Sequence, residues 1–194
     1  MLFRSALLNG LLQMARLDAG CDMPERAPVD LGASMAAVCQ QVAQLAQSHG
    51  LEMHVAVGAD SVCVFAAEDH LRRLWMTLLE NAIRYTPPGG RIAVTVQRSE
   101  DGNVRCSVQD SGIGIEVEHL PRIFERFYRV DKARARASGG CGLGLSIAAE
   151  LAHLYGATIE VMSVPGTGSN FTVIFPVTSL CPTPEFIESQ LILG

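Results

Sequence analysis

Two glycine-rich stretches contain the residues whose types and spacing best suit chemistry. The first covers 110–115, Asp-Ser-Gly-Ile-Gly-Ile, and the second covers 139–146, Gly-Gly-Cys-Gly-Leu-Gly-Leu-Ser. Glycine allows a backbone to take positive φ and to approach a ligand closely. The second stretch leads into an apolar helical pattern, so free N–H groups at a helix N-terminus would face an anion such as phosphate. Because glycines also serve ordinary turns, neither stretch alone defines a nucleotide site.

Two polar side chains near these stretches suit a nucleotide and its metal. Asn81 lies at the rim of the apolar face of a predicted helix, where its carboxamide oxygen could complete the octahedral shell of a Mg²⁺ that also binds phosphate. A surface asparagine without a ligand is the simpler alternative. Asp110 ends a buried-looking strand and could accept a hydrogen bond from an exocyclic amine such as that of adenine. It could also start an Asx turn at Ser111-Gly112, and the two roles are compatible.

A basic segment joins the two glycine stretches of an otherwise acidic chain. It places five positive charges within eleven residues, namely Arg126, Arg129, Lys132, Arg134 and Arg136. Such a run is usually a solvated loop, but between two glycine stretches it could equally be a mobile lid that closes on phosphates. Phe124 and Phe127 would anchor the base of that lid, although isolated aromatic residues more often pack in a core.

The composition limits the class of protein. With 194 residues, 48% of them hydrophobic and 18% charged, the chain fits one folded domain with short flanking pieces. A net charge of −5 argues against a nucleic-acid partner. The six cysteines form no C-x-x-C pair, which favours free thiols in a reducing cytosol over a disulfide framework or a zinc site. The uncharged run 5–15 is too short and too polar to span a bilayer, and its polar residues also argue against a signal peptide.

The hydrophobic periodicity predicts an alternation of helices and strands. Helices are expected at 1–19, at 31–48 with Asp30 as N-cap, from an Asp69 cap to the breaker at 86–90, and at 143–155. Strands are expected at 51–57 and 62–66, and as hairpins at 91–97 with 103–109 and at 157–163 with 169–176. These elements indicate an α+β fold. We expect a two-layer α/β sandwich, with a mixed, mainly antiparallel sheet covered on one face by helices.

Two common nucleotide-binding motifs are missing from the sequence. No G-x-G-x-x-G directly follows a strand and opens a helix with an acidic residue about 20 positions further on, which argues against a dinucleotide-binding fold. There is also no G-x-x-x-x-G-K-[ST] phosphate loop. A nucleotide site in this chain would therefore have to be of another kind.

Five segments, taken in order, resemble the motifs of two-component sensor histidine kinases. Residues 79–87 (Leu-Glu-Asn-Ala-Ile-Arg-Tyr-Thr-Pro) resemble the N box, 110–114 the G1 box, 123–128 the F box, 140–145 the G2 box, and 166–171 the glycine-rich turn that follows it. Five motifs in the family's order are far more specific than any one of them. The resemblance covers about residues 29–177, and 11–20 resembles the end of the second helix of the dimerisation and phosphoacceptor domain.

The resemblance implies a division of the chain and a nucleotide site. The parts are the end of the dimerisation helix (1–20), a linker (21–30), an ATP-binding catalytic domain with the Bergerat-type fold of gyrase-type ATPases (31–177), and a C-terminal tail (178–194). Asn81 would hold Mg²⁺ and act in catalysis with Arg84, while Asp110 would bind adenine. The full set of residues implied to contact ATP is Asn81, Arg84, Tyr85, Asp110, Gly112, Gly114, Ile115, Phe127, Lys132, Gly140, Cys141, Gly142, Leu143, Gly144, Leu145 and Thr172.

The resemblance also implies partners. The γ-phosphoryl group of ATP would pass to a histidine on the dimerisation and phosphoacceptor domain of the same kinase, in a pathway that ends at a response regulator. None of the five histidines of this chain has the family's acceptor context, so the acceptor is expected upstream of Met1 and self-phosphorylation is not expected. The full-length protein would be a homodimer attached to the inner membrane, and this fragment a cytoplasmic monomer.

One departure from the family pattern leaves alternatives open. Thr77 stands where most of these kinases have a first asparagine and where the hydrolytic relatives have a water-activating glutamate. A hydroxyl is a weaker Mg²⁺ ligand and a poor base, which disfavours a gyrase-like hydrolase and supports a nucleotide-binding regulatory module without transfer activity. An anti-sigma-type serine kinase is a further alternative, against which the helical stripe at 7–17 argues.

Cys141 is expected beside a helix N-terminus. It is either a low-pKa thiol that bound nucleotide would protect from alkylation or a buried residue that fills a gap.

Overall fold

The computed structural model describes residues 24–58, 62–130 and 142–181, and its first helix, α1 (Leu31–Ser48), has the predicted bounds. Asp30 is the N-cap, and its Oδ1 accepts a hydrogen bond from the N–H of Ala33 at 2.7 Å. This side-chain cap satisfies one of the N–H groups that a helix start leaves without a partner. The chain leaves the helix through Gly50 at φ +69°. The predicted helix at 1–19 and most of the tail lie outside the described residues.

The second helix, α2 (Glu68–Tyr85), carries the apolar stripe that the spacing predicted. Its stripe residues are at most 1% exposed: Leu71, Leu74, Trp75 and Leu78. The prediction of Asp69 as its N-cap is wrong, because Ala67 occupies that position without a side-chain hydrogen bond. The N–H of Ala67 donates instead to the phenolic oxygen of Tyr155 at 3.1 Å, so a tertiary contact fixes the helix start. Asp69 lies in the first turn, where its charge still complements the helix dipole.

The strands and the third helix complete the fold. In chain order the strands are β1 (Ala27–Asp30), β2 (Glu52–Val57), β3 (Cys63–Ala66), β4 (Arg91–Arg98), β5 (Val104–Asp110), β6 (Thr158–Val164) and β7 (Gly168–Phe175), and helix α3 (Gly144–Leu154) precedes β6. The main sheet has the order β2–β4–β5–β7–β6. Only β2 and β4 pair in parallel within it. The prediction of a mixed, mainly antiparallel sheet is therefore confirmed.

Strands β1 and β3 form a separate two-stranded ribbon in which Val29 lies opposite Val64. The expectation of a linker at 21–30 is corrected for residues 27–30, which form strand β1. Pro28 lowers the apparent strand signal, yet a proline is tolerated in an edge strand that pairs on one side only. Val29 and Val64 are both buried, so apolar burial stabilises a strand that the local sequence does not favour.

The helices cover one face of the sheet, as predicted. Alternate residues of the two central predicted hairpin strands are buried: Ile92, Val94, Val96, Val104, Cys106 and Val108. Between the layers, Trp75 of α2 packs edge-on against Phe175 of β7, with ring centroids 6.2 Å apart. No helix among the described residues combines the length and apolarity needed to cross a bilayer. The core thus holds α2 in a fixed position over β5 and β7.

Candidate nucleotide-binding site

Asp110 forms the buried end of strand β5. Its side chain is 7% exposed, and its Oδ1 accepts hydrogen bonds from the N–H groups of Gly112 at 2.8 Å and Ser169 at 3.3 Å. The bond to Gly112 is that of the Asx turn anticipated from the sequence. No hydrogen bond within the described part of the chain reaches the other carboxylate oxygen, Oδ2. This second oxygen can therefore accept a hydrogen bond from a donor on a ligand.

The electrostatic state of Asp110 follows from its position. Burial raises the pKa of this carboxyl above its ordinary value, because removal from water disfavours the charged form. The two backbone N–H donors, from Gly112 and Ser169, act in the opposite direction because they stabilise the anion. Burial is the larger cause. A further hydrogen-bond donor would therefore stabilise the charged form of Asp110, whereas an apolar environment favours its neutral form.

The turn after Asp110 lies directly against the last turn of α2. The N–H of Ile113 donates to the carbonyl oxygen of Tyr85 at 3.1 Å. A Cβ at position 112 would lie 2.5 Å from that same oxygen and 2.6 Å from Asp110 Oδ1. Such distances are below any real Cβ contact, so only glycine fits at position 112. Glycine at position 112 thus allows the turn to approach the helix closely.

The same turn packs on the hairpin that connects β6 and β7. Gly114 has φ +69°, and a Cβ there would overlap the carbonyl oxygen of Val164. The N–H of Gly166 donates to the carbonyl oxygen of Ile113 at 2.8 Å, and the N–H of Ile115 donates to Ser163 Oγ at 2.8 Å. These contacts bring the first glycine motif and the fifth motif together. Ile115 is half-buried, and its backbone N–H holds the turn against β6.

Helix α2 also contacts the second glycine stretch. Thr77, Asn81 and Tyr85 are spaced by four residues, so they follow one another along one side of the helix. A Cβ on Gly144 would lie 3.3 Å from the γ-methyl of Thr77, while the Tyr85 carbonyl holds the first glycine turn. Asn81 therefore lies on α2 between these two contacts. Asn81 is half-buried, and Arg84 and Tyr85 are exposed next to it.

The described part of the second stretch runs from Gly142 into α3. Gly142 has φ +71°, and its carbonyl oxygen accepts a hydrogen bond from the N–H of Phe127 at 2.9 Å. Leu143 is the N-cap of α3 and makes no side-chain capping bond, so the helix begins at Gly144 without a polar side chain over its N–H groups. The side chain of Leu143 is buried, whereas that of Leu145 is half-buried. Within the described ranges, no side chain caps the N–H groups at this helix start, and such groups can bind an anion.

Phe127 takes an unusual conformation at the base of the predicted lid. It is the only non-glycine residue in the described ranges with positive φ, at +65°, and its side chain is 55% exposed. A left-handed backbone costs a residue with a Cβ about 1–2 kcal/mol, so the surrounding contacts must compensate for it. The hydrogen bond to Gly142 is one of these contacts. Phe127 therefore contacts the second glycine stretch through its backbone.

Not every predicted site residue reaches this region. Thr172 pairs with Ser107, whereas Asp110 pairs with Ser169, and side chains three residues apart on a strand point to opposite faces. The Oγ1 of Thr172 lies 2.8 Å from Ser107 Oγ on the face away from the helices. The prediction that Thr172 contacts the nucleotide is wrong. The predicted residues Lys132, Gly140 and Cys141 lie outside the described residues.

The structure adds two serines that the sequence analysis missed. Ser169 supplies an N–H to Asp110, and Ser163 Oγ accepts from Ile115 and lies 2.9 Å from Ser169 Oγ. Only the register of β5, β6 and β7 brings these positions to the first glycine turn.

Arg126, the first charge of the basic segment, lies 3.6 Å from Glu150 of α3. This arginine is thus directed to the helix that follows the second glycine stretch.

Comparison with known proteins agrees with the fold and the motif order. Residues 66–179 match the family model of histidine kinase-, DNA gyrase B- and HSP90-like ATPases. The matched region is more than half of the chain, and it contains all five motifs in the order noted above. The chain belongs to this family.

Among sequence relatives, the phosphate regulon sensor protein PhoR of Pseudomonas aeruginosa is 39% identical over 171 residues, which are 87% of this chain and 38% of PhoR. The signal transduction histidine-protein kinase BaeS of Escherichia coli is 34% identical over 171 residues, 88% of this chain and 36% of BaeS. The chain thus spans well under half the length of these relatives. Among solved structures, full-length ShkA in complex with AMPPNP has a TM-score of 0.76 and 31% identity, covering 88% of this chain and 35% of ShkA.

Proposed function

We propose that the pocket between α2, the turn after Asp110 and the start of α3 binds ATP together with Mg²⁺. The observation that carries this proposal is the buried Asp110, whose Oδ1 is held by two backbone N–H groups while Oδ2 receives no hydrogen bond from the described residues. An oxygen oriented in this way suits the exocyclic amine of adenine. The ShkA structure, which holds AMPPNP, supports a nucleotide of this type.

Asn81 is the residue proposed to hold the metal. It supplies one neutral oxygen, and no group of three or more His, Cys, Asp or Glu side chains in the described part of the chain could form a metal cage. This donor set fits Mg²⁺, which usually takes one or two protein oxygens and completes its shell with phosphates and water. When bound, the metal would supply charge neutralisation of the phosphates. Arg84, exposed one turn along the same side of α2, would add positive charge at the phosphates.

We further propose that the chain is the catalytic part of a sensor histidine kinase. In this role the γ-phosphoryl group passes to a histidine on a dimerisation and phosphoacceptor domain, and a response regulator receives the signal. The names of the curated relatives support the proposal. The chain's own histidines are poor candidates for the acceptor. His70, for example, is 8% exposed with Nδ1 2.7 Å from Tyr155 Oη. The full-length protein would be a dimer attached to a membrane.

The residues of the site contribute mainly by position and charge. The glycine turn at 112–114 holds the adenine end of the nucleotide, and the start of α3 presents backbone N–H groups to the phosphates. Asn81 lies between these two ends. The basic segment after Phe127 would then close over the phosphates and exclude water. Catalysis in such a site is the alignment of the γ-phosphoryl group with its acceptor, together with neutralisation of its charge.

The decisive experiment separates binding from transfer. Binding of a fluorescent ATP analogue is titrated with and without Mg²⁺ for the wild type, Asn81→Ala and Asp110→Ala, with Glu80→Ala as the control. Glu80 is exposed and points about 100° away from its neighbour Asn81 around the helix. We expect Asp110→Ala to lose binding by about tenfold or more under both conditions. Asn81→Ala should lose mainly the Mg²⁺-dependent part, and Glu80→Ala should bind like the wild type.

Transfer is then measured with γ-labelled ATP and a separately supplied dimerisation and phosphoacceptor domain. Labelling of that domain's histidine by the wild type, and not by Asn81→Ala, is the expected result. Binding without labelling would refute the kinase proposal and favour the nucleotide-binding regulatory module, for which Thr77 is the supporting feature. Absence of nucleotide binding altogether would refute the ATP site itself.

A further inference from the structure

A pair of cysteines lies where the C-terminal segment returns to the small ribbon. After the short helical turn Val177–Ser179, Leu180 forms an antiparallel bridge with Val64 of β3. The N–H of Cys181 donates to the carbonyl oxygen of Cys63 at 2.7 Å. In an antiparallel register, one step forward on one strand matches one step back on the other, so Cys181 lies directly opposite Cys63.

This register is compatible with a covalent link. Residues directly opposite in an antiparallel pair point to the same side, with Cβ atoms about 4.5–5.5 Å apart. A disulfide needs Cα atoms about 4.4–6.8 Å apart and Cβ atoms slightly closer than in an unlinked pair. A small adjustment of the terminal segment would meet this requirement.

The two thiols also differ from the other described cysteines in their accessibility. Cys63 and Cys181 are both half-buried, whereas Cys39 and Cys106 are buried. Burial raises the pKa of Cys39 to about 11 and that of Cys106 to about 12, so these two thiols are scarcely ionised at neutral pH. The pKa of Cys181 is raised by burial and then by the neighbouring Cys63.

We propose that Cys63 and Cys181 form a reversible disulfide that fastens the C-terminal end of the described domain to strand β3. The oxidant is a peroxide. A thiolate attacks a peroxide oxygen and breaks the O–O bond, which gives a sulfenic acid and hydroxide, and the hydroxide takes up the proton that the thiol lost to become water. The second thiol then attacks the sulfenic sulfur, forms the S–S bond and displaces a second water. Overall, two thiols and one hydrogen peroxide give one disulfide and two waters. An excess of a small dithiol reverses the reaction by exchange.

The link would affect stability and leave the nucleotide site unchanged. It closes the long loop from 63 to 181, which restricts the unfolded chain and should raise the melting temperature by roughly 5–15 °C. The ribbon meets α2 at its N-terminal end, where Ala67 follows β3, whereas Asn81 and Tyr85 lie at the other end of the helix. At 1.5 Å per residue, about 20 Å of helix separates Glu68 from Asn81. Nucleotide affinity should therefore be the same in the reduced and the linked protein.

The test begins with mild peroxide treatment of the whole chain and digestion after glutamate under non-reducing conditions. This cleavage gives the peptides 53–68 and 161–185, each of which contains a single cysteine, Cys63 or Cys181. We expect one species in which these two peptides are joined and which is lighter than their sum by two hydrogen atoms. Dithiothreitol should separate them. The melting temperature should rise on oxidation and fall again on reduction.

Three variants make the result decisive. Cys63→Ser and Cys181→Ser should each remove both the joined species and the rise in melting temperature, while Cys39→Ser should keep both. Cys181→Ser tests the proposal even if a change in β3 impairs folding, because position 181 lies at the end of the described domain. If the joined peptides contain Cys21 or Cys141 in place of this pair, or if Cys181→Ser keeps the full rise, the proposal is overturned.

Discussion

Ile113 donates its backbone N–H to the carbonyl oxygen of Tyr85, 3.1 Å away. This bond joins the first glycine motif to the final turn of α2, and it uses one of the carbonyl groups that a helix end leaves without an internal partner. The residue before Ile113 must be glycine for the approach to occur, because Tyr85 and Asp110 occupy the space of a Cβ. The geometry of the proposed adenine pocket therefore depends on the end of α2, which lies almost 30 residues earlier in the sequence.

Gly112→Ala should weaken nucleotide binding and destabilise the domain. The new methyl group would overlap the carbonyl oxygen of Tyr85 and Oδ1 of Asp110, so the turn must move, at a cost of about 1–3 kcal/mol in the free energy of unfolding. Gly102→Ala is the matched control, because it introduces backbone strain at φ +81° in the β4–β5 turn, at the opposite end of β5 from Asp110. Chemical denaturation and nucleotide titration of both variants should give a stability loss in each and an affinity loss in Gly112→Ala only. Equal affinities would contradict the pocket.

Asp110→Asn should change the preference for the base. Oδ1 accepts from two N–H groups, so the carboxamide oxygen must take that position and its NH₂ group must replace Oδ2. A donor would then face the ligand where an acceptor stood before. ATP and ITP differ at the 6-position of the base, an amine in the first and a carbonyl in the second. Competition titrations should show that the wild type prefers ATP and that Asp110→Asn shifts the ratio toward ITP by about tenfold. An unchanged ratio would show that Asp110 does not contact the base.

The same substitution should alter the pH dependence of stability. Because burial raises the folded-state pKa of Asp110, the carboxyl contributes stability below its unfolded pKa of about 3.9 and loses that contribution as the pH rises through the folded value. An asparagine does not titrate. The melting temperature of Asp110→Asn minus that of the wild type should therefore increase from pH ~4 upward and then level off. Melting curves at several pH values, without nucleotide, measure this difference, and a decrease over the same range would contradict the raised pKa.

Thr77 offers a test of the metal site. A Thr77→Asn variant supplies a second carboxamide one turn before Asn81, and it should tighten Mg²⁺-dependent nucleotide binding roughly fivefold, equivalent to about 1 kcal/mol. Thr77→Val is the control, since it keeps the methyl group that faces Gly144 and replaces the hydroxyl with a second methyl group. Titrations of nucleotide at fixed Mg²⁺ would compare the two variants. Weaker Mg²⁺-dependent binding by the asparagine variant than by the valine variant would argue against a metal at this turn of the helix.

Tyr155 should matter for stability far from the site. Its buried hydroxyl accepts from the N–H of Ala67 and lies 2.7 Å from His70 Nδ1. Tyr155→Phe leaves the N–H at the start of α2 without this partner, which should cost about 1–3 kcal/mol. Tyr128 makes a similar contact, with His119 Nδ1 at 2.8 Å, in a half-buried position. Water can replace that contact, so Tyr128→Phe should cost under about 1 kcal/mol. Urea denaturation of both variants measures the difference, and similar losses would refute this account.

Much of the fold could be predicted because its signals are local. The stripe of α2 follows from spacings of three and four residues, and the N-cap at Asp30 depends on a residue three positions away, Ala33. The cap of α2 failed for the opposite reason. An acidic side chain was expected to cap this helix. Instead, the hydroxyl of Tyr155, which is distant in the sequence, accepts a hydrogen bond from the N–H of Ala67. The strand at Ala27–Asp30 was missed because its stability comes from β3 and from burial, and neither is visible in its own residues.

The sequence by itself determined the family-like order of motifs, the helical face that carries Asn81, and the class of fold, because each depends on residue type and short-range periodicity. Only the tertiary structure decided which residues meet. It placed Ser169 beside Asp110 and directed Thr172 to the opposite face, because strand register assigns alternate side chains to alternate faces. It also brought Cys181 opposite Cys63, since contacts between distant segments depend on the packing of the whole core.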